Sequence, residues 1–346
     1  MAIVGHWANL AEAQKLTQSM LLQGVIETVI EAGNLLPLLP MKQITGKDLV
    51  YNREKSWTAS SGAGFFDIRE QIPWTSDVDY DQITVALKRV ARQDPWDKFV
   101  AETYNSINDY RAIVLSQVTK RITRFLEHKL IYGDVTYNGA KEFDGLHALA
   151  EELSGDNDID QAEAALSLDN VRKAMDACKV DQAGRGSVYL LMPRPIARRL
   201  DEAFQEAGFV RTSVTHSMGQ IQWEETALGR RIKTFDDVPI IRSDFLLAEE
   251  ANTGQGSNAR GTSPAAGSER YSAFVCRFAQ TEDGGLSALF GGSGHNVGEV
   301  FKHTPFPTLE DFDSGGERLV GYIALALGAS YSLARITDIT DVAIVP

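Results

Sequence analysis

Between Met41 and Ala91 the chain reads as an extended ribbon with no means of burying itself. Leu49, Tyr51 and Arg53 alternate with Val50 and Asn52, and Ile83, Val85 and Leu87 alternate in a second run, the period of two that marks β-strands. Ser60-Ser61-Gly62-Ala63-Gly64 and then Phe65 and Phe66 lie between the runs. The pattern predicts a long two-stranded β-hairpin. A hairpin of that length is marginal in water unless its apolar side chains find a surface, on the same chain or on a neighbour. The residues in need of one are Trp57, Phe65, Phe66, Ile68 and Trp74, with Arg69 and Glu70 between them.

The rest of the chain is rich enough in apolar residues to fold around a core. Of 346 residues 43% are hydrophobic and 23% charged, ordinary globular values. The net charge of -13 makes the average surface repel phosphate backbones and anionic membranes. Two cysteines, Cys178 and Cys276, are too few for a disulfide framework and fit synthesis in a reducing cytoplasm. The first residues carry Glu12 and no cationic segment, which does not support a secretory signal. The most apolar stretch, Leu319 to Ala334, is shorter than the roughly 20 residues of a membrane helix. A soluble protein with no membrane partner is expected.

Helical spacing runs from Asn9 to Ala32 and stops at Gly33-Asn34, so residues 1–40 read as an arm whose Leu35–Pro40 segment is stiff and extended. After the ribbon, Asp94 as N-cap, Pro95 at the first helical position and Asp97 in the first turn predict a helix that continues to Tyr132-Gly133. Such a rod of residues 94–132 would be about 55 Å long. It carries Arg111, Lys120, Arg121, Arg124 and Lys129, a basic face that either meets nucleic acid or pairs with carboxylates of adjoining elements. From Phe143 to Phe290 helix and strand signals alternate as in an α+β domain. Helices are predicted over Ser167–Cys178 and Pro193–Ala207, and strands over Val188–Met192, Pro239–Arg242 and Tyr271–Phe278. Residues 251–270, almost free of apolar anchors, read as a long mobile loop, and Arg318–Val345 returns to β alternation, with a buried helix as the alternative.

The constellations that carry chemistry fail on spacing. Asp156, Asp158 and Asp160 occupy the first, third and fifth positions of a calcium loop, but Gln161 and Ser167 stand where glycine and glutamate are required. Gly291-Gly292-Ser293-Gly294-His295 departs from a nucleophile elbow and lacks the lysine of a phosphate loop. The six histidines, His6, His128, His147, His216, His295 and His303, form no pair at metal-binding helical spacing. Cys178 and Cys276 sit among apolar residues, the setting of inert core thiols. No catalytic residue, cofactor or metal is expected.

The order of elements, with three local patterns, resembles the major capsid proteins of tailed bacteriophages, the Hong Kong 97-like fold. Tyr132-Gly133-Asp134 followed by Phe143-Asp144-Gly145-Leu146 is similar to the family's passage from spine helix into axial domain. Val188-Tyr189-Leu190-Leu191-Met192-Pro193 before a helix resembles a strand-helix unit of that domain. Phe235-Asp236-Asp237-Val238-Pro239 is similar to the family's G-x-P-V strand entry, with Asp237 where glycine is commoner.

The resemblance implies an N-terminal arm (1–40) and an extended loop (41–91) lying over a neighbouring subunit. It implies a peripheral domain (92–142 and 299–346) containing the spine helix, and an axial domain (143–298). It further implies pentamers and hexamers closing into an icosahedral head around double-stranded DNA, located in the virion. Scaffolding, portal and decoration proteins would be partners, the scaffold being a separate protein or absent. Trp57, Phe65, Phe66, Ile68, Arg69, Glu70 and Trp74 become subunit-contact candidates, and Lys120, Arg121, Arg124 and Lys129 candidates for non-specific contact with packaged DNA in the lumen. Lys42, Lys47 and Lys55 are available in or near the ribbon, but no asparagine follows Asn296, so cross-links are not expected. Two other readings are an encapsulin-like compartment enclosing cargo enzymes, which shares the fold, and an acidic cytosolic hydrolase.

Overall fold

The structure, a computed structural model, describes residues 35–54, 64–72, 80–103, 110–180, 187–206, 221–225, 231–250, 264–292, 299–309 and 313–344. The arm helix expected over Asn9–Ala32, the tip residues before Gly64, Trp57, Trp74 and most of the 251–270 loop lie outside them.

Two sheets organise the described chain. The first has five strands: β1 (Met41–Ile44) parallel to β11 (Leu286–Gly291), then β13 (Ser314–Leu327), which pairs antiparallel with β11, with β12 (Phe301–Phe306) and with β4 (Lys88–Asp97). The second has seven, in the order β5 (Asp158–Asp160), β14 (Leu333–Ile339), β10 (Tyr271–Arg277), β6 (Val188–Pro193), β9 (Val238–Ser243), β8 (Arg231–Phe235) and β7 (Ile221–Glu225). A separate two-stranded ribbon pairs β2 (Asp48–Glu54) with β3 (Tyr80–Ala86) in antiparallel register.

The central strands of the seven-stranded sheet are buried on both faces, which is why they read as unbroken apolar runs. On β6, Leu190 and Met192 pack with Val171 and Met175 of α4 (Leu168–Ala177) and with Ile196 and Leu200 of α5 (Arg194–Glu206), while Leu191 faces the other way. On β10, Ala273 and Val275 join that same layer, whereas Phe274 and Cys276 point toward the spine helix and the five-stranded sheet. The main core therefore lies between the two sheets. It takes in Leu126, Leu130 and Ile131 from α2 (Tyr110–Tyr132), Leu289 and Phe290 from β11, and Ile323 and Leu325 from β13. Leu126 and Leu130 are fully buried, each worth about 1.5–3 kcal/mol in removal from water.

The helix expected from Asp94 is corrected. Residues 88–97 are strand β4, paired over ten positions with β13, and helix begins only at α1 (Lys98–Thr103), with α2 following from Tyr110. Asp97 is the capping residue, its Oδ1 accepting the Val100 N–H at 3.2 Å. The long β13 needs a partner along residues 314–323, and those backbone pairs outweigh a local capping signal that a short segment cannot reveal. Pro95 fits because β4 pairs with β13 alone, and an edge strand tolerates the missing donor. At 1.5 Å per residue the 23-residue α2 is about 35 Å long.

Two smaller corrections follow from packing. Leu35–Pro40 is not extended: the Leu38 and Leu39 amides both donate to the Leu35 carbonyl at 3.1 Å, one helical turn with Leu35 and Leu39 in the core. Met41–Ile44 belongs to the five-stranded sheet and not to the hairpin. The C-terminal segment divides between the sheets, β13 joining β4, β11 and β12, and β14 joining β5 and β10.

The Gly133 and Gly145 motif has a steric origin. A Cβ on Gly133 would sit 2.3 Å from the Phe143 carbonyl oxygen, and one on Gly145 would sit 2.8 Å from the Gly133 nitrogen. The two backbones touch, joined by the Gly145 N–H to the Gly133 carbonyl at 2.9 Å. Asp144 and Asp134 close the intervening loop by accepting the amides of Val135 and Thr136. At the second motif, Asp236 and Asp237 form a two-residue hairpin turn between β8 and β9 with φ of 46° and 64°. This is the left-handed region, where glycine is commoner and aspartate tolerated.

Candidate assembly surface

The ribbon is rooted firmly and exposed beyond its root. Alternation puts Leu49, Tyr51 and Arg53 on its inner side, and Leu49, Val85 and Leu87 pack against the main core. The Tyr51 hydroxyl donates to the Leu327 carbonyl at 2.6 Å, and the Leu87 amide to the Lys47 carbonyl at 2.9 Å. Burial pushes the Tyr51 phenol above its ordinary value; Arg53 lowers it and Glu152 raises it. Lys88 reaches the Ala140 carbonyl at 2.7 Å, tying the ribbon's exit to the loop after the spine.

Beyond this root the chain presents apolar side chains to solvent. Phe65 is fully exposed, Ile68 is 94% exposed, and Phe66 is exposed as well. Asp67 to Glu70 make a tight turn in which the Glu70 amide donates to the Asp67 carbonyl and the Asp67 amide to the Glu70 carboxylate, at 3.0 and 2.8 Å. Arg69 takes a φ of 80° in that turn. Glu70 thus shapes the turn, and Phe65, Phe66, Ile68 and Arg69 stand free around it. Ile72, 62% exposed, and Tyr80 and Val50 extend the apolar edge; sequence reading did not single them out. For Val50 and Tyr80 the signal was there, as apolar residues on the strand face opposite the packed one.

The basic residues of α2 are held by carboxylates where the structure shows their partners. Arg121 reaches Asp94 at 3.5 Å. Lys129 pairs with Glu142 at 2.7 Å, both side chains largely buried, and lies 5.9 Å from the ring centres of Phe125 and Tyr137. Arg111 pairs with the buried Glu317, whose other oxygen meets His303 at 2.6 Å. Lys120 and Arg124, also on this helix, are exposed and half-buried.

A buried polar cluster is the nearest thing to a catalytic constellation. Glu249 accepts from the hydroxyls of Tyr132 at 2.8 Å and Ser272 at 2.7 Å. Arg335 holds Asp158 through two bonds of 2.8 and 2.6 Å and meets His147 Nδ1 at 3.2 Å. A guanidinium can only donate, so Nδ1 accepts and the ring proton is assigned to Nε2, 3.0 Å from Glu249. His147 also stacks on Tyr132 with ring centres 4.8 Å apart. The cluster binds spine, α3 (Leu146–Leu153) and the seven-stranded sheet together, and with His147 and Glu249 enclosed it offers no approach to a substrate.

His6, His216 and the Ser293-Gly294-His295 run lie outside the described residues, and the acidic run and the two cysteines within them are committed or buried. Asp158 is committed to Arg335 and Asp160 caps the Ala162 amide at 2.7 Å, so the acidic run does not form a calcium loop. No group of His, Cys, Asp or Glu among the described residues is arranged to hold a metal. Burial pushes the Cys178 thiol up to about 12, and that of Cys276 also upward. No helix among the described residues is long and apolar enough to cross a membrane.

No protein-family model matches the chain, and no curated protein matches it. Solved structures do. The chain is similar to the SrpI encapsulin of Synechococcus elongatus, with a TM-score of 0.65, 12% identity and 97% of each chain covered. It is similar to the capsid protein of cyanophage A-1(L), with a TM-score of 0.63, 10% identity, and 94% of this chain and 98% of that one covered. The capsid protein of a native GTA particle matches with a TM-score of 0.58 and 10% identity, over 96% and 99% of the two chains. These likenesses cover nearly the whole chain, and the chain has the Hong Kong 97-like fold.

Proposed function

We propose that this chain is the major capsid protein of a tailed phage, assembling through pentamers and hexamers into an icosahedral shell around double-stranded DNA. The observation that carries the reading is the ribbon. Phe65, Ile68 and Ile72 are presented to solvent from a root fixed by Tyr51 and Leu327, within a fold shared with phage capsid chains. Head-to-tail contacts between identical subunits close into rings, and a projecting ribbon reaches across each contact. One interface of standard size, about 1,600 Å², holds only weakly in many complexes, whereas many simultaneous contacts make a closed shell hard to dissociate.

In this reading residues 1–40 are the arm, and the ribbon between β1 and β4 is the extended loop. The spine and the β4–β13 pairing belong to the peripheral domain, and most of residues 143–298 to the axial domain. The role is structural, the location is the virion, and the acidic surface suits a container that must not grip its genome. Lys120, Arg121 and Arg124 remain lumen-contact candidates, and Lys129, bound to Glu142, contributes to packing.

The test is electron microscopy of the expressed protein, with and without the phage's scaffold. Shells or capsomers are expected, and deleting Ser56 to Pro73 is expected to leave a soluble chain that does not close shells. Intact shells from that variant, or a small monomer under every assembly condition, would overturn the reading. The likeness to an encapsulin favours a second one, a compartment enclosing cargo enzymes. Enzyme in place of nucleic acid inside purified shells would select it.

A further inference from the structure

Helical spacing places position 127 beside Leu126, Leu130 and Ile131, on the stripe of α2 that faces the core, yet the residue there is a glutamate. A carboxylate in such a place needs a partner. Glu127 is 1% exposed, and its Oε1 accepts the backbone N–H of Leu36 at 2.9 Å, with the Leu35 amide also lowering the cost of its charge. Its other oxygen has no hydrogen-bond partner, and no ion pair to it is formed among the described residues.

The other side of this contact explains it. Leu35 to Leu39 form a single helical turn, and the first amides of any helical turn have no acceptor within it. Pro37 removes one donor, which leaves the Leu35 and Leu36 amides to be satisfied from outside. A capping residue normally does this from the adjoining sequence. Here the acceptor comes from 91 residues away. The apolar anchors Leu35 and Leu39 sit in the same core as Leu126 and Leu130, but apolar contact does not set direction. Hydrogen bonds do.

We propose that Glu127 caps the Leu35–Leu39 turn in trans, latching it to the spine helix and fixing the position and direction of the chain where the described residues begin. The latch works in both directions. A turn that left its seat would strand a buried carboxylate without donors, so the turn can undock only if the spine's packing changes with it. In one respect this rests on the shell reading: within a shell, that position and direction decide which neighbour the arm reaches.

The experiment compares Glu127→Gln, which keeps a carbonyl oxygen at the same reach, with Glu127→Ala, which removes the acceptor. Hydrogen exchange is followed by mass spectrometry on dissociated subunits. In Glu127→Ala the peptide covering residues 35–41 should exchange about tenfold faster or more, the loss expected for a bond to a charged acceptor. Peptides from β10 and β13 should be unchanged, and Glu127→Gln should stay close to the parent. Unchanged exchange at 35–41 in Glu127→Ala, or equal loss of protection along the whole chain, overturns the latch. If Glu127→Ala does not fold, Glu127→Asp, one methylene short of the amide, decides by the same two criteria. The readout is made before assembly, so a chain that never forms shells would sink the shell reading and leave this result standing.

Discussion

The Tyr51 hydroxyl, on the projecting ribbon, donates a hydrogen bond of 2.6 Å to the carbonyl oxygen of Leu327 at the end of β13. It is the polar contact that fastens the ribbon's inner face to the five-stranded sheet, beside the apolar packing of Leu49 and Val85. Tyr51→Phe keeps the ring and removes the bond, at a cost of about 1 kcal/mol. Because the contact is local, the loss should fall on the ribbon and spare the body. Limited proteolysis within residues 64–72 should speed up roughly fivefold, with little change in the main unfolding transition. Equal proteolysis of variant and parent would show that the apolar root alone holds the ribbon.

Phe65 and Ile68 bury almost nothing in the isolated chain and Ile72 only a minor part of its surface, so replacing all three by serine should shift its stability by no more than about 0.5 kcal/mol per site. If a neighbour covers them, each contributes roughly 1.5–3 kcal/mol to the contact. The threshold concentration for assembly should then rise by at least a hundredfold, as read by light scattering, while the monomer's melting curve stays in place. An unchanged threshold would mean that the ribbon's apolar edge is not what neighbours bind.

Glu127 gives the fold a pH dependence with a definite sign. Burial raises its carboxyl above the ordinary range, and the Leu36 and Leu35 amides offset only part of that. The folded chain therefore holds this proton more tightly than the unfolded chain does. The stability linked to this group is fully present below glutamate's ordinary pKa and is lost as pH rises through the raised one. Glu127→Gln, which cannot ionise, should flatten the difference. Its stability relative to the parent should increase across that window and level off above it, as measured by urea denaturation at a series of pH values. A relative stability that does not change with pH would show that this carboxyl titrates as it does in the unfolded chain.

Cys178 and Cys276 are fully buried with thiols pushed upward, Cys178 to about 12, so neither carries appreciable thiolate near neutrality. Alkylation by iodoacetamide at pH 8 should proceed only as fast as the protein opens, and should accelerate together at both sites in denaturant. Rapid modification of either in the native protein would reveal an opening that the packing does not show.

Strands and helices fixed by burial were legible in the sequence. Val188–Met192 and Tyr271–Phe278 announced themselves because both faces of their sheet are covered there, and the helix expected over Ser167–Cys178 is α4. What stayed hidden depends on partners distant in sequence. The capping signal at Asp94 was real chemistry at the wrong place, since ten residues of β13 claim that segment as a strand. Glu127 was not singled out, because its partner is 91 residues away. Of the candidate assembly surface, Phe65, Phe66 and Ile68 could be seen as apolar residues without cover, whereas the residues that root the ribbon could not be told from ordinary strand positions. Lys129 was read for its charge, and its burial against Glu142 had no local signature.

Gly133 and Gly145 give the sharpest steric prediction, because backbone meets backbone there and no flexible side chain can move aside. A methyl group at 133 would lie 2.3 Å from the Phe143 oxygen and 2.5 Å from the Lys129 oxygen, and one at 145 within 2.8 Å of the Gly133 nitrogen and the Ile131 oxygen. Relief requires the loop after the spine to lift from the helix end, which breaks the 2.9 Å bond from the Gly145 amide to the Gly133 carbonyl and disturbs the core around Leu130 and Ile131. Each Gly→Ala change should cost about 3 kcal/mol or more, in the range of core overpacking with a lost buried hydrogen bond. The two share one contact, so their costs should not add: once either substitution has lifted the loop, the second meets little resistance. A double variant close in stability to the worse single one, measured by chemical denaturation, is the expected result. Simple additivity would mean that the two glycines are required for separate reasons.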